Sequence, residues 1–158
     1  GNVPDLAILF IGESLYDEDA QQLREHLDEK GILAAIVDLG WVEEAELPLL
    51  LRTGDVALYL MDDTLINRSK CPVKLADLIA AGVPVAAEDV GQVSEYVING
   101  TTGLLRQSGD TAGLVDDILQ LLQSKRRRVE YGQAAQSHYA ANFSWDQLAD
   151  RLELVYRG

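Results

Sequence analysis

The side chains most able to do chemistry lie between Asp62 and Lys74, in the stretch Asp62-Asp63-Thr64-Leu65-Ile66-Asn67-Arg68-Ser69-Lys70-Cys71-Pro72-Val73-Lys74. Proline suits the first turn of a helix, so a helix is expected from Pro72 with its leading N–H groups free. Free amides and the positive end of the helix dipole favour an anion such as a phosphate, and Arg68, Lys70 and Lys74 add charge beside them. With equal weight, the same cations read as ordinary surface residues of an acidic chain. Asp77 follows one turn later. A carboxylate near a phosphate is costly unless it meets polar partners, and ribose hydroxyls would serve. A solvated i,i+3 pair with Lys74 explains Asp77 more simply. Glu95 complements the dipole at a short helix start, and Trp41 offers a face for a base although a lone tryptophan more often packs.

Positioning these residues requires a frame, and the apolar pattern supplies one. Leu6 to Ile11 is a continuous apolar run closed by Gly12, and Leu15 to Lys30 then carries helical spacing up to Gly31. The cycle recurs with strands at Ile32–Asp38, Val56–Met61 and Val83–Ala87 and helices at Glu43–Thr53 and Pro72–Ala81. A short helix, Gln92–Ile98, precedes the turn Asn99-Gly100, and Gly103–Leu105 forms a last strand. Three helices interrupted at Ser124 and Asn142 fill Thr111 to Arg157. This alternation predicts an α/β, Rossmann-like parallel sheet with helices on both faces, in which ligands sit beyond the carboxyl ends of the strands. The loops there are Gly12-Glu13-Ser14, Leu39-Gly40-Trp41, Asp62–Cys71 and Glu88–Val93, of which the third is long enough to be functional.

Composition narrows the chemistry. The 158 residues include 26 acidic and 13 basic side chains, a formal charge of −13, which disfavours a nucleic-acid backbone as partner. Cys71 is the sole cysteine and His26 and His138 lie far apart, so neither a disulfide nor a metal site is expected, and a reducing, cytoplasmic setting fits. The basic run Lys125 to Arg128 reads as a solvated helix start. No G-x-G-x-x-G, P-loop, G-x-S-x-G or H-E-x-x-H motif occurs. Asp62 stands where a two-component receiver carries its phosphoacceptor, but the acidic pair and the lysine that such a site needs are missing.

Several separate stretches resemble the donor-binding domain of family-4 type glycosyltransferases, which are two-domain GT-B enzymes. They are Ala81-Gly82-Val83-Pro84-Val85, Asp89-Val90-Gly91-Gln92, Glu95-Tyr96-Val97 and Asn99-Gly100-Thr101-Thr102-Gly103-Leu104-Leu105. Phe10-Ile11-Gly12-Glu13 resembles the family's strand and glycine loop, and Leu39-Gly40-Trp41-Val42 its LGxV turn. Phe143-Ser144-Trp145 resembles the start of its terminal helix. The likeness covers nearly the whole chain, in order.

The resemblance implies that residues 1–158 are a single nucleotide-sugar-binding domain, cut from a longer chain whose acceptor domain and first donor-domain segment are absent. It implies transfer of a sugar from a nucleoside diphosphate to a glycan, lipid or small-molecule acceptor, with retention and no required metal or other cofactor. The piece alone is expected to be inactive. The donor-binding residues implied are Gly12, Glu13, Gly40, Trp41, Val42, Asp63, Arg68, Ser69, Lys70, Lys74 and Asp77. Two of these depart from the family's pair of glutamates, since Ser69 takes the first position and Asp77 the second. A non-catalytic sugar-nucleotide-binding homologue is therefore the alternative. The expected location is cytoplasmic, with the inner membrane face open to peripheral association, and the terminal helix is expected to be amphipathic with Ser144 as its cap.

Overall fold

The computed structural model describes residues 3, 5–14 and 16–157. They group into two compact units divided between Leu47 and Pro48.

In the first unit, β1 (Ile8–Phe10) pairs in parallel with β2 (Ile36–Asp38). Helix α1 (Asp17–Glu29) joins them, with Asp17, Glu18 and Asp19 in its first turn where negative charge meets the dipole. Leu15, expected to open this helix, lies outside the described residues. The chain leaves the helix through Gly31, whose φ of 65° suits a residue without Cβ. The expected strand Ile32–Asp38 is shortened because Leu33–Ala35 close a 3₁₀ turn first. Its pairing length is set by β1, which offers only three residues.

The second unit begins with α2 (Leu47–Leu51), which carries over from the first. This helix is shorter than the expected Glu43–Thr53. Glu43 and its neighbours form a separate turn, and Pro48 sits in the opening turn, where its missing N–H costs nothing. Strands β3 (Ala57–Tyr59), β4 (Val85–Glu88) and β5 (Gly103–Arg106) form a parallel sheet in that order. The five strands thus pair as two ladders where the sequence pattern predicts one sheet. Between β3 and β4 lie α3 (Leu65–Arg68) and α4 (Val73–Ala80); α5 (Val93–Tyr96) precedes β5. The C-terminal helices are α6 (Thr111–Leu122), α7 (Lys125–Phe143) and α8 (Trp145–Arg157).

Strand β4 carries the core because both of its faces are covered. Val85 and Ala87 pack with Leu75 and Ile79 of α4, Val93 and Val97, and Ala135 of α7. Ala86, pointing the other way, packs with Leu114 and Leu121 of α6. A strand buried on both sides needs an unbroken apolar run, which Val83 to Ala87 supplies. Helix α7 crosses the expected break at Asn142, whose side-chain amide donates to the His138 carbonyl at 2.8 Å and so stays within the helix. The break falls at Ser144, whose hydroxyl accepts from Gln147 N–H at 3.4 Å and caps α8 as expected. Arg128 closes α6, donating to the carbonyls of Leu121 and Leu122 at 3.0 and 2.7 Å and reaching Asp55 at 3.0 Å. Part of the basic run is thus a helix cap.

Candidate functional site

A recess of about 510 Å³ opens at the carboxyl end of β3, lined by Tyr59 to Asp62 and by Asn67, Lys70, Cys71, Val73 and Lys74. Its floor is the end of the strand, and its far wall is the loop that bears α3. Thr64 caps that short helix, accepting from Asn67 N–H at 3.2 Å. The Asn67 amide then donates to the Asp62 carbonyl at 2.9 Å, and its oxygen accepts from the Lys70 ammonium at 2.8 Å. Lys70 is therefore aimed, whereas Lys74 is an exposed cation one residue into α4. The leading amides of α4 are not free as expected, since Val73 N–H donates to the Cys71 carbonyl at 2.9 Å and Leu75 N–H to the Pro72 carbonyl at 3.0 Å, so the capacity of the recess for an anion comes from the two lysines and the positive end of the helix dipole.

Arg68 plays a different part from the one expected of it. Its guanidinium grips Asp63 with two nitrogens, at 2.5 and 2.7 Å. Those hydrogen bonds, together with the positive charge, hold the Asp63 carboxyl below the usual carboxylate range and raise Arg68 in turn. Both side chains stand outside the recess lining, and their pairing braces the loop. Gly91 presses on the same loop from the β4–α5 turn. A Cβ there would lie 2.7 Å from the Arg68 carbonyl oxygen, and φ is 59°, so this position excludes other residues on both counts.

The end of β3 is held from β4. Glu88 accepts from Met61 N–H at 2.8 Å with one carboxylate oxygen and from Gly109 N–H at 2.9 Å with the other. The Ser108 hydroxyl donates to the Met61 carbonyl at 3.1 Å. Tyr59, on the floor, has its phenol pushed up by burial and by the neighbouring Cys71 thiol. Cys71 also lies 3.7 Å from the Tyr96 hydroxyl. Tyr96 is pushed up to about 12, first by burial and then by that hydrogen bond and the surrounding negative groups.

In the first unit, Gly12 N–H donates to the Gly40 carbonyl at 2.8 Å, which ties together the two loops that follow β1 and β2. Gly40 N–H donates to Asp38 at 3.1 Å. Glu13 and Trp41 are exposed beside them and Val42 is half-buried.

A family model described as glycosyl transferases group 1 matches residues 2–124. The chain belongs to the group 1 glycosyl transferases.

Among similar proteins of this family, a phosphatidyl-myo-inositol mannosyltransferase of Mycobacterium leprae is 29% identical over 152 residues, covering 96% of this chain and 38% of its own length. A D-inositol 3-phosphate glycosyltransferase of Corynebacterium diphtheriae is 42% identical over 77 residues, covering 49% of this chain and 18% of its own. The chain thus spans less than half the length of either relative. In fold, it is similar to the Anabaena HepE protein solved with UDP and glucose, at TM-score 0.79 and 19% identity, covering 96% of this chain and 41% of that one. It is also similar to the C-terminal domain of the Francisella tularensis group 1 family protein LpcC, at TM-score 0.72 and 17% identity, covering 90% and 72%. The Rossmann-like arrangement of parallel strands and helices expected from the sequence is the arrangement of these GT-B glycosyltransferases.

Within a group 1 glycosyl transferase, the two departures at Ser69 and Asp77 take on definite geometry. The Ser69 hydroxyl donates to the Ile66 carbonyl at 2.8 Å, closing α3 on itself, and stays out of the recess. Asp77 is exposed on α4, one turn beyond Lys74 and outside the recess lining. Among the described residues, no group of three or more His, Cys, Asp or Glu is placed to hold a metal ion. Among the described residues, no helix is long and apolar enough to cross a membrane. Sequence reasoning missed Asn67 and Glu88 as parts of the site. The available signal for Glu88 was an acid closing an otherwise apolar strand, where a carboxylate must find donors.

Proposed function

We propose that this chain supplies the donor half of a glycosyltransferase that uses a nucleoside diphosphate sugar, with Lys70 and Lys74 taking the diphosphate. The observation that carries this reading is the recess at the end of β3, which Lys70, held by Asn67, and the exposed Lys74 both line. The complexes of HepE with UDP and with UDP-glucose support a nucleotide sugar as ligand class. Asp77 is assigned to the ribose hydroxyls. Arg68 and Asp63 brace the loop. Transfer would proceed with retention, by positioning and by stabilising the leaving diphosphate, with the acceptor and any general base supplied by other parts of the protein.

The recess predicts weak but specific binding. Calorimetry of UDP, GDP and ADP on this chain should give a dissociation constant of about 1 mM or weaker for the preferred base. Lys70→Ala or Lys74→Ala should weaken it about tenfold, the worth of one charge-assisted contact. Equal titrations of wild type and both variants would reject the site.

The position of Ser69 supports a second reading, a sugar-nucleotide-binding homologue without transferase activity. Its hydroxyl is turned into α3 and has neither the charge nor the reach of a glutamate. A transfer assay on the full-length protein separates the two readings.

A further inference from the structure

We propose that Glu88 is a positioning residue for the recess, acting on the Lys70 ammonium through the Met61–Asp62 backbone and Asn67. This goes further than the donor reading of the recess and rests on it for its functional meaning. The ladder between β3 and β4 ends at the pair Tyr59 and Ala87, so Met61 has no strand partner to hold it. Glu88, the next residue along β4, replaces the missing bond with its side chain. Its second oxygen is anchored by Gly109, which keeps the carboxylate from swinging out to solvent. From Met61 the constraint passes to the Asp62 carbonyl, which Asn67 binds, and from Asn67 to Lys70. The three hydrogen bonds in this chain lie between 2.8 and 2.9 Å, and the Met61–Asp62 backbone joins the first to the second.

Glutamine at this position offers one acceptor oxygen and one NH₂ group, so either Met61 or Gly109 would face a donor. The test uses the 158-residue chain with inorganic pyrophosphate as probe. In Glu88→Gln the side-chain amide resonances of Asn67 are expected to move, and pyrophosphate affinity to fall about 5- to 10-fold. In a Lys70→Ala background the same change should cost less than about twofold, because the effect runs through Lys70. A merely structural role predicts an equal loss in both backgrounds, and that result overturns the proposal. Unmoved Asn67 resonances in folded Glu88→Gln also overturn it. Should that variant fail to fold, Ser108→Ala loosens the same residue, Met61, from its carbonyl side and must move the same resonances, or the proposal falls. If wild type takes no pyrophosphate, the anion reading of the recess fails by itself, and the Asn67 resonances alone decide the role of Glu88.

Discussion

The two units are built from the same strand-and-helix cycle and differ in what covers the strands. In residues 48–157, β4 lies between α4 and α7 on one face and α6 on the other, and Leu75, Ile79, Val85, Ala86, Ala87 and Leu121 are fully buried. In the first unit, Leu27 is the one buried hydrophobic among the described residues, while Leu6, Leu23, Ile32, Leu33, Val37 and Leu39 stay between 38 and 46 % exposed. A hollow of about 470 Å³ remains between α1 and its strands, lined in part by Leu23, Leu27, Leu33 and Ile36. A βαβ pattern therefore specifies elements, whereas stability follows the number of apolar layers stacked on them.

The sharpest way to break this contrast is hydrogen exchange. Amides of Ile36–Asp38 should exchange about 1,000-fold faster than those of Val85–Ala87, since the former lack buried neighbours. Similar protection in the two strands would show that the first unit is held as firmly as the second. Next come the glycines. A Cβ on Gly132 of α7 would overlap the Gly82 carbonyl, whereas one on Gly31 meets nothing and strains only its backbone. Gly132→Ala should lower stability by about 3 kcal/mol, the upper end for overpacking, and Gly31→Ala by about 1 kcal/mol. Denaturant melts reading each unit separately would check both. The smallest effect is alkaline. Tyr96 titrates near 12 in the folded chain, above the unfolded value near 10, so its contribution is full below about pH 10 and is lost as pH rises toward 12. Tyrosinate absorbance should show this residue lagging, and the second unit should loosen where Tyr96 stacks on Phe143 at 4.3 Å.

What could be read from the sequence does not follow that division. Strands β1 and β2 and helix α1 of the first unit were expected from apolar runs and helical spacing just as β3, β4, β5, α4 and α6 of the second were, and Val83 to Ala87 shows the pattern most plainly. Helix α3 was hidden because Leu65 and Ile66 are exposed; Thr64 makes this helix by capping, with no apolar face to mark it. The Asp63–Arg68 brace joins residues five apart in a loop, a spacing that no regular element selects. Lys70 and Lys74 were recognisable from proline and charge alone. The hold of Glu88 on Met61 spans 27 positions, and only the strand register brings the two together.

The pairing of Arg68 with Asp63 also governs how an anion reaches the recess. With that guanidinium neutralised, two ammonium groups attract at contact, while a chain of net charge −13 repels at a distance. At physiological ionic strength the repulsion reaches only about 8 Å, and in dilute buffer several times farther. Added salt should therefore first speed association by removing the outer barrier and then speed dissociation by weakening the lysine contacts. Affinity for a diphosphate should accordingly pass through a maximum at intermediate ionic strength, where a simple cationic pocket would show a steady decline.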